Sequence, residues 1–465
     1  MNTQETRRFD AIVVGAGQAG PPLAERLAGS GMKVALIERG RFGGTCVNTG
    51  CTPTKTLVAS AYAAHLARRA AEYGVVIEGP VSVDFGRVRE RAAAVAARSR
   101  GNVEKWVRGI SGCTVIQGHA RFESPDTLRV GSELVSAPRI FLDVGGRATV
   151  PKLPGVEEVP FLTNSSLLEI EALPRHLVVV GGGYVGLEFA QMFRRFGSEV
   201  TLVEMSERLL RREDEDVAEA VTSILEGEGI ALRTGAECIR LARAPEGVRV
   251  HVDCKSGAPD VVGSHVLLAV GRTPNTSDLG LDRAGVATNE RGYIQVNDRL
   301  ESNVPGIWAL GDCNGRGAFT HTSYNDFEIV AANLLDGADR SVRDRVPAYA
   351  LYIDPPLGRV GMSEAEARKT GRPLLLAKRP MTRVSRAIEK GETQGFMKIV
   401  ADRETRQILG ATILGTSGDE AIHGVIDMMH ARVPYPVYQW AVPIHPNVSE
   451  LIPTVLGALQ PVDET

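Results

Sequence analysis

Residues 9–38, FDAIVVGAGQAGPPLAERLAGSGMKVALIE, decide the fold. Phe9 to Val14 read as a buried strand, followed by a glycine turn, a helix and a second strand that ends at Glu38. This is a βαβ unit. Its glycines, Gly15, Gly17 and Gly20, form the G-x-G-x-x-G pattern of a dinucleotide site, answered by an acidic residue at the end of the next strand. The first glycine permits a tight turn, the second lets a pyrophosphate approach the backbone, and the third packs helix on strand. The helix N-terminus supplies donors and a partial positive charge to the phosphates, and Glu38 accepts from ribose hydroxyls. Pro21 and Pro22 fall in the first helical turn, where a missing N–H is no loss.

One such motif is weak evidence, because glycines also close ordinary turns. Here the unit is repeated. Residues 176–204, HLVVVGGGYVGLEFAQMFRRFGSEVTLVE, place Gly181, Gly183 and Gly186 where Gly15, Gly17 and Gly20 stood. Gly15 to Glu38 and Gly181 to Glu204 both span 23 positions, and Gly20 to Gly31 and Gly186 to Gly197 both span 11. Two Rossmann-like dinucleotide domains follow.

Working outward, the stretch from Pro151 to Leu173 is rich in proline and short apolar pieces and reads as a linker into the second unit. After Gly271 the segment VPGIWALGD, a strand ending at Gly311 and Asp312, reads as a return to the first domain. From Pro347 onward strands (MKIVAD, ILGATIL) alternate with a helix (DEAIHGVIDMMHA), an α+β pattern. The expected division is 1–160 and 271–345 for the first dinucleotide domain, 161–270 for the second, and 346–465 for the C-terminal domain. The length of 465 residues agrees, being enough for about three domains.

A composition of 43% apolar and 23% charged residues with a net charge of -3 argues against a disordered chain or a nucleic-acid binder. No run reaches the roughly 18 apolar residues of a spanning helix, and the first ten residues hold no secretory signal, so the expected address is the cytoplasm, away from membranes. In a reducing compartment two close cysteines are redox-active or metal-binding rather than a structural staple. Cys46 and Cys51 are such a pair, with two buried thiols as the plain alternative. They follow Glu38 by only eight residues, beside the first dinucleotide site. An ideal helix turns about 140° over five residues, so bridging them needs a distorted turn, for which Gly50 and Pro53 are suited. A thiol at a helix N-terminus also has a lowered pKa.

The segments GTCVNTGCTPTK (44–55), the doubled glycine motif, GRTPN (271–275), PGIWALGD (305–312) and HPNVSE (445–450) occur in the order seen in the flavoprotein disulfide reductases. The chain resembles that family over nearly its whole length. The family includes dihydrolipoamide dehydrogenase, glutathione reductase and mercuric reductase. The resemblance implies an α/β fold with an FAD-binding and an NAD(P)-binding Rossmann-like domain and a C-terminal α+β dimerisation domain. It further implies that Gly15, Gly17, Gly20 and Glu38 bind the ADP half of FAD while Asp312 holds the ribityl chain. Gly181, Gly183, Gly186 and Glu204 would bind the nicotinamide nucleotide. Tyr184 would be the ring that covers the flavin until the nicotinamide arrives, and Lys55 and Glu188 a charged pair near the flavin, the ammonium favouring electron density on the reduced ring. Glu204 favours NADH, since a carboxylate repels a 2′-phosphate, although Arg208, Arg211 and Arg212 just beyond leave NADPH open.

By the same resemblance Cys46 and Cys51 would form the redox-active disulfide, Cys51 lying against the flavin and Cys46 attacking the substrate. His445, oriented by Glu450, would be the acid and base for the substrate thiol, suited by an imidazole that titrates near neutrality. Asn447 replaces the Thr usual in that loop. In the family this His serves the partner's site, so the implied assembly is a homodimer with shared active sites. The implied reaction is reduction of a small disulfide by NADH, or oxidation of a dithiol such as dihydrolipoamide in reverse. FTHTSYNDFEIVAANL (319–334) and the cysteine core look most like the mercuric-reductase-like branch, yet mercuric reductase has a C-terminal cysteine pair and a Tyr where this chain has His445. The tail LGALQPVDET carries no thiol. Reduction of mercuric or cupric ion is the alternative, and a non-enzymatic flavin redox sensor or metal-binding scaffold is a third. Cys113, Cys238, Cys254 and Cys313 read as packing residues, and the histidines show no metal-ligand spacing, so no resident metal is expected.

Overall fold

The computed structural model describes residues 6–236, 239–253 and 259–462. The chain folds into two compact units, one of residues 1–57, 87–149 and 271–345, the other of residues 58–86, 150–270 and 346–465.

In the first unit a five-stranded parallel sheet runs in the order Ile307–Ala309, Ile140–Leu142, Ala11–Val14, Val34–Glu38, Cys113–Gln117. Ala11–Val14 and Ile140–Leu142 are buried throughout, as expected of parallel strands covered on both faces. Leu23, Ala24 and Leu27 of helix Gly20–Gly29 share one face and are fully buried in the same apolar cluster as Val13 and Leu36. A second, four-stranded sheet is built from Arg7–Arg8, Glu133–Ser136, Thr127–Val130 and Ala120–Ser124. Successive connections of the parallel sheet leave in opposite directions from its central strand, the place where such sheets bind ligands at their carboxyl edge. Gly15 and Asp143 follow directly on the two strands that flank this switch point.

The second unit repeats the parallel arrangement with Ala231–Arg233, Glu199–Val203, His176–Val180 and His265–Leu268, the crossover being helix Tyr184–Phe196. A three-stranded antiparallel sheet of Arg240–Ala244, Gly247–His251 and Asp260–Gly263 accompanies it. A further sheet of this unit has six strands, in the order Ala348–Leu351, Leu357–Gly361, Ile408–Leu414, Phe396–Asp402, Leu374–Pro380, Gln460–Pro461, all antiparallel. Helices His423–His430 and Leu451–Gly457 pack their apolar residues into the cluster centred on it.

The expected fold class, two Rossmann-like domains and an α+β domain, is what forms. One local expectation differs. Residues 419–431 make two short helices in succession, Gly418–Ala421 and His423–His430. The Val425 N–H reaches back to Ile422 O, and Gly424 leaves room for the Tyr438 hydroxyl, 3.0 Å from where a Cβ would stand. Among the described residues no helix is long and apolar enough to cross a membrane.

Candidate active site

The cysteine segment is two helices, Gly44–Asn48 and Cys51–Arg68, broken at Thr49 and Gly50. Thr49 leaves helical geometry at φ -142°, and a Cβ on Gly50 would stand 2.9 Å from Thr45 O. This is the distorted turn that the five-residue spacing requires. The segment lies on the first glycine turn: Gly43 N–H donates to Ala16 O at 2.8 Å, and a Cβ on Gly44 would come within 2.9 Å of Gly17 Cα.

Cys46 and Cys51 are present as thiols rather than as a disulfide. Cys51 heads an 18-residue helix and is held down to about 6 by the hydrogen bond from Cys46, the Thr320 hydroxyl and the positive charge of Lys55, one turn along the same helix. Its Sγ lies 3.3 Å from Thr320 Oγ1. Cys46 moves the other way: the bond it gives to Cys51, its burial and the Cys51 charge all push its thiol up. In the reduced pair the thiolate is therefore favoured at Cys51 and the proton at Cys46. Removing the Thr320 hydroxyl should raise the Cys51 pKa, since a hydrogen bond to a charged group contributes about 1.5 kcal/mol or roughly one pKa unit. In Thr320→Val, thiolate absorbance of the reduced protein should titrate correspondingly higher, and an unchanged midpoint would show that Thr320 does not support the thiolate.

Around the first glycine turn, Gly15 takes φ +109° and a Cβ there would overlap Asp143 O, while one on Gly20 would overlap Gly15 O. Only glycine fits either position. Gly17 is tight for a reason the motif does not state, because a Cβ would stand 2.7 Å from the Asp143 carboxylate. That carboxylate is buried and accepts from Gly20 N–H at 2.8 Å, and burial holds its pKa well above the usual range. Glu38 ends the second strand with Oε2 accepting from Ala16 N–H at 2.8 Å and Oε1 from Gly40 N–H at 2.6 Å. Asp312, after the Ile307–Ala309 strand, receives Arg272 Nε at 3.1 Å. Arg272 also donates to Gly146 O at 2.5 Å and Thr45 Oγ1 at 3.4 Å, tying the Asp312 loop to the neighbour of Cys46.

In the second unit Glu204 repeats the Glu38 bonds, Oε2 accepting from Gly182 N–H at 2.6 Å and Oε1 from Ser206 N–H at 2.7 Å. Gly181 takes φ +117° against Ala269 O, Gly186 abuts Gly181 O, and a Cβ on Gly183 would meet nothing within 4 Å. Glu188 is buried on helix Tyr184–Phe196 with Oε1 accepting from Tyr352 N–H at 3.0 Å. Lys55 belongs to the first unit and Glu188 to the second. The Tyr184 hydroxyl donates to Glu213 Oε1 at 2.9 Å.

His445 Nδ1 meets both oxygens of Glu450, at 3.1 and 2.9 Å. The imidazole is 72% exposed and the carboxylate 13%. The side chain of Asn447 donates to Ile444 O and accepts from Glu450 N–H, so the residue that departs from Thr shapes the loop holding the pair. His445 sits beside an exposed apolar stretch with Trp440 80%, Val442 96% and Ile444 82% exposed.

Residues 9–326 match the family model described as pyridine nucleotide-disulphide oxidoreductase, and residues 347–456 match its dimerisation domain. The chain belongs to the pyridine nucleotide-disulphide oxidoreductases. It is 36% identical over 452 residues to the probable pyridine nucleotide-disulfide oxidoreductase RclA of Escherichia coli, covering 95% of this chain and 97% of the relative. It is 33% identical to mercuric reductase of Bacillus cereus (91% of this chain, 67% of the relative) and 34% identical to dihydrolipoyl dehydrogenase of Thermus scotoductus (90% of each). Among solved structures it is similar to the Cu(II) complex of E. coli HOCl-induced flavoprotein disulfide reductase RclA, with TM-score 0.89 and 34% identity over 97% of this chain and 100% of that one. This oxidoreductase is therefore an FAD enzyme that works with NAD(P)H on a disulfide, and it carries a dimerisation domain.

Reading the oxidoreductase from sequence missed Thr320, Asp143 and Arg272. Thr320 and Arg272 lie inside segments that carried the resemblance, but nothing in their local spacing points at sulfur or at Asp312. Asp143 left a fainter signal, an acid ending the otherwise apolar strand segment IFLDVGG. Cys313 is buried with its thiol directed at Leu310 O, and Cys113 is partly buried, its thiol pushed up to about 11. Cys238 and Cys254 lie outside the described residues. Among the described residues no group of three or more His, Cys, Asp and Glu is placed to hold a metal ion.

Proposed function

We propose that this oxidoreductase reduces a small disulfide with NADH, or oxidises a small dithiol in reverse, as a homodimer whose active sites take residues from both chains. The observation that carries the reading is the cysteine pair itself, set on either side of the break between helices Gly44–Asn48 and Cys51–Arg68, with Cys51 at the head of the longer helix and its Sγ 3.3 Å from Thr320 Oγ1. The residues fit FAD: the turn at Gly15, Gly17 and Gly20 admits no side chain at its tight positions, and each Glu38 oxygen keeps a lone pair for a ribose hydroxyl. Asp312 would hold the ribityl chain. Bound there, FAD supplies two-electron transfer between nicotinamide and sulfur. Gly181, Gly183, Gly186 and Glu204 would hold the nucleotide, with the Glu204 carboxylate favouring NADH over NADPH. Lys55 holds positive charge close to Cys51, and Glu188 would hold negative charge on the nucleotide side.

The proton count supports an acid–base role for His445. Cys46 must lose its proton before its sulfur can form a bond with a substrate sulfur, and Nε2 of His445 is the outward atom able to take it. The substrate S–S bond breaks, its first thiolate leaves with that proton, and Cys46 is joined to the other half. Cys51 then closes the Cys46–Cys51 disulfide and releases the second half as a thiolate, which takes its proton from solvent. The exposed apolar stretch leading to His445 supports burial against a second copy, which would bring that imidazole to the partner's cysteines. A reducing compartment, the cytoplasm, suits such a thiol cycle.

A second reading, reduction of a soft metal ion at the same cysteines, is favoured by the likeness to mercuric reductases and to the RclA–Cu(II) complex. The non-enzymatic sensor is set aside, since the family is one of enzymes. The deciding experiment is NADH consumption by the purified holoenzyme against lipoamide, glutathione disulfide, cupric ion and mercuric ion, repeated with NADPH. Turnover with a disulfide well above the metal ions is expected, with NADH preferred. Turnover with metal ions alone would replace the first reading by the second.

A further inference from the structure

The ring of Tyr184 is not held by packing alone. Its hydroxyl ends on Glu213, whose side chain is 1% exposed, and the same oxygen, Oε1, accepts a second bond from the Tyr349 hydroxyl. The two rings lie 5.3 Å apart at 36°. The other oxygen, Oε2, has no hydrogen-bond partner and faces Arg359 Nε at 3.5 Å, while Arg359 is itself anchored to Thr412 Oγ1 at 2.9 Å. Tyr349 and Arg359 belong to the two paired strands at one edge of the six-stranded sheet, and Glu213 precedes helix Glu215–Gly227.

Glu213 is fixed from several sides. Its neighbours Asp214 and Asp216 clasp the buried ammonium of Lys398 at 2.9 and 2.8 Å, and Asp214 also accepts from the backbone of Glu364 and Ala365. The acidic run 213–216 is thus fastened to the sheet, and the acceptor for Tyr184 cannot follow the ring if the ring moves. Burial pushes both tyrosine hydroxyls up, so they remain donors at neutral pH.

We propose that Glu213 and Tyr349 are positioning residues for Tyr184, latching its ring by the hydroxyl so that nicotinamide binding must first break this bond. The inference rests on the reading of Tyr184 as the ring that the nicotinamide displaces. A latch lowers the population of the binding-competent position and weakens apparent affinity by that fraction. One hydrogen bond to a buried carboxylate, offset by the water the freed hydroxyl finds, corresponds to about fivefold or more.

The test is the affinity of the oxidised holoenzyme for NAD+ by titration calorimetry, with Tyr184→Phe, Tyr184→Ala and Glu213→Gln, each checked for FAD content and thermal unfolding. Tyr184→Phe, which keeps the ring and loses the tether, should bind NAD+ about fivefold or more tightly. Tyr184→Ala should bind at least as tightly, and Glu213→Gln should fall between wild type and Tyr184→Phe. A residue needed only for folding does not tighten binding when it is removed. If Tyr184→Ala tightens binding and Tyr184→Phe does not, the latch is wrong while the reading of Tyr184 stands. If neither changes affinity, the ring is not in the nucleotide's path and both fail.

Discussion

Cys46→Ser should lose disulfide turnover by at least about a thousandfold, because a hydroxyl can neither form the mixed disulfide nor close a bond to Cys51. The loss is not one of cofactor binding. The first glycine turn is shaped by Asp143, Glu38 and its own backbone, none of which uses the Cys46 sulfur, so the purified variant should remain yellow. A serine hydroxyl still donates to Cys51, so its thiolate should survive as well. The measurement is NADH consumption with glutathione disulfide and lipoamide, set beside the flavin absorbance of the same samples. A yellow variant that kept a tenth of the turnover would show that electrons leave the protein by another route.

His445→Ala should cost about 10²- to 10⁴-fold with a disulfide substrate at neutral pH, the range for a lost general acid and base. The sign of its pH dependence follows from Cys46. That thiol is pushed up by the bond it gives to Cys51 and by burial. Without an imidazole its proton must leave to water, which becomes easier as pH rises, so the defect should shrink in alkaline solution. Cupric ion, which needs no thiol proton returned to a leaving group, should be reduced at nearly the unaltered rate if the metal reading applies. Mixing the two variants tests the shared site. After random exchange, half the dimers are mixed and each has one site with both residues intact, so about a quarter of wild-type activity should return. No recovery would mean that Cys46 and His445 serve the same site from the same chain.

The parts of the site legible in the sequence are those whose chemistry depends on neighbours along the chain. Gly15 and Gly20 are dictated by a turn six residues long, and Glu38 and Glu204 by the strand that follows it. Cys46 and Cys51 required only that the helix break between them, and Gly50 sits at the break. What stayed hidden comes from distant segments. Thr320 reaches Cys51 across 269 positions, Asp143 reaches Gly20 across 123, and Tyr349 meets Glu213 across 136. No periodicity encodes such meetings. His445 and Glu450 are intermediate: five positions apart in an irregular loop, their contact depends on the Asn447 side chain that bends the chain between them.

The two bonds by which Glu204 grips Gly182 and Ser206 bear on how a preference for one nucleotide over the other would be altered. A carboxylate on a mobile side chain can swing aside and let a neighbouring guanidinium neutralise an incoming phosphate. This one is moored at both oxygens to main-chain amides and has nowhere to retreat. On the proposed reading its charge is held in place before any nucleotide arrives, whatever the arginines at 208, 211 and 212 contribute. If Glu204 lines the nucleotide site as proposed, a change of cofactor preference has to begin by replacing it, because enlarging the arginine cluster alone would leave the repulsion in place.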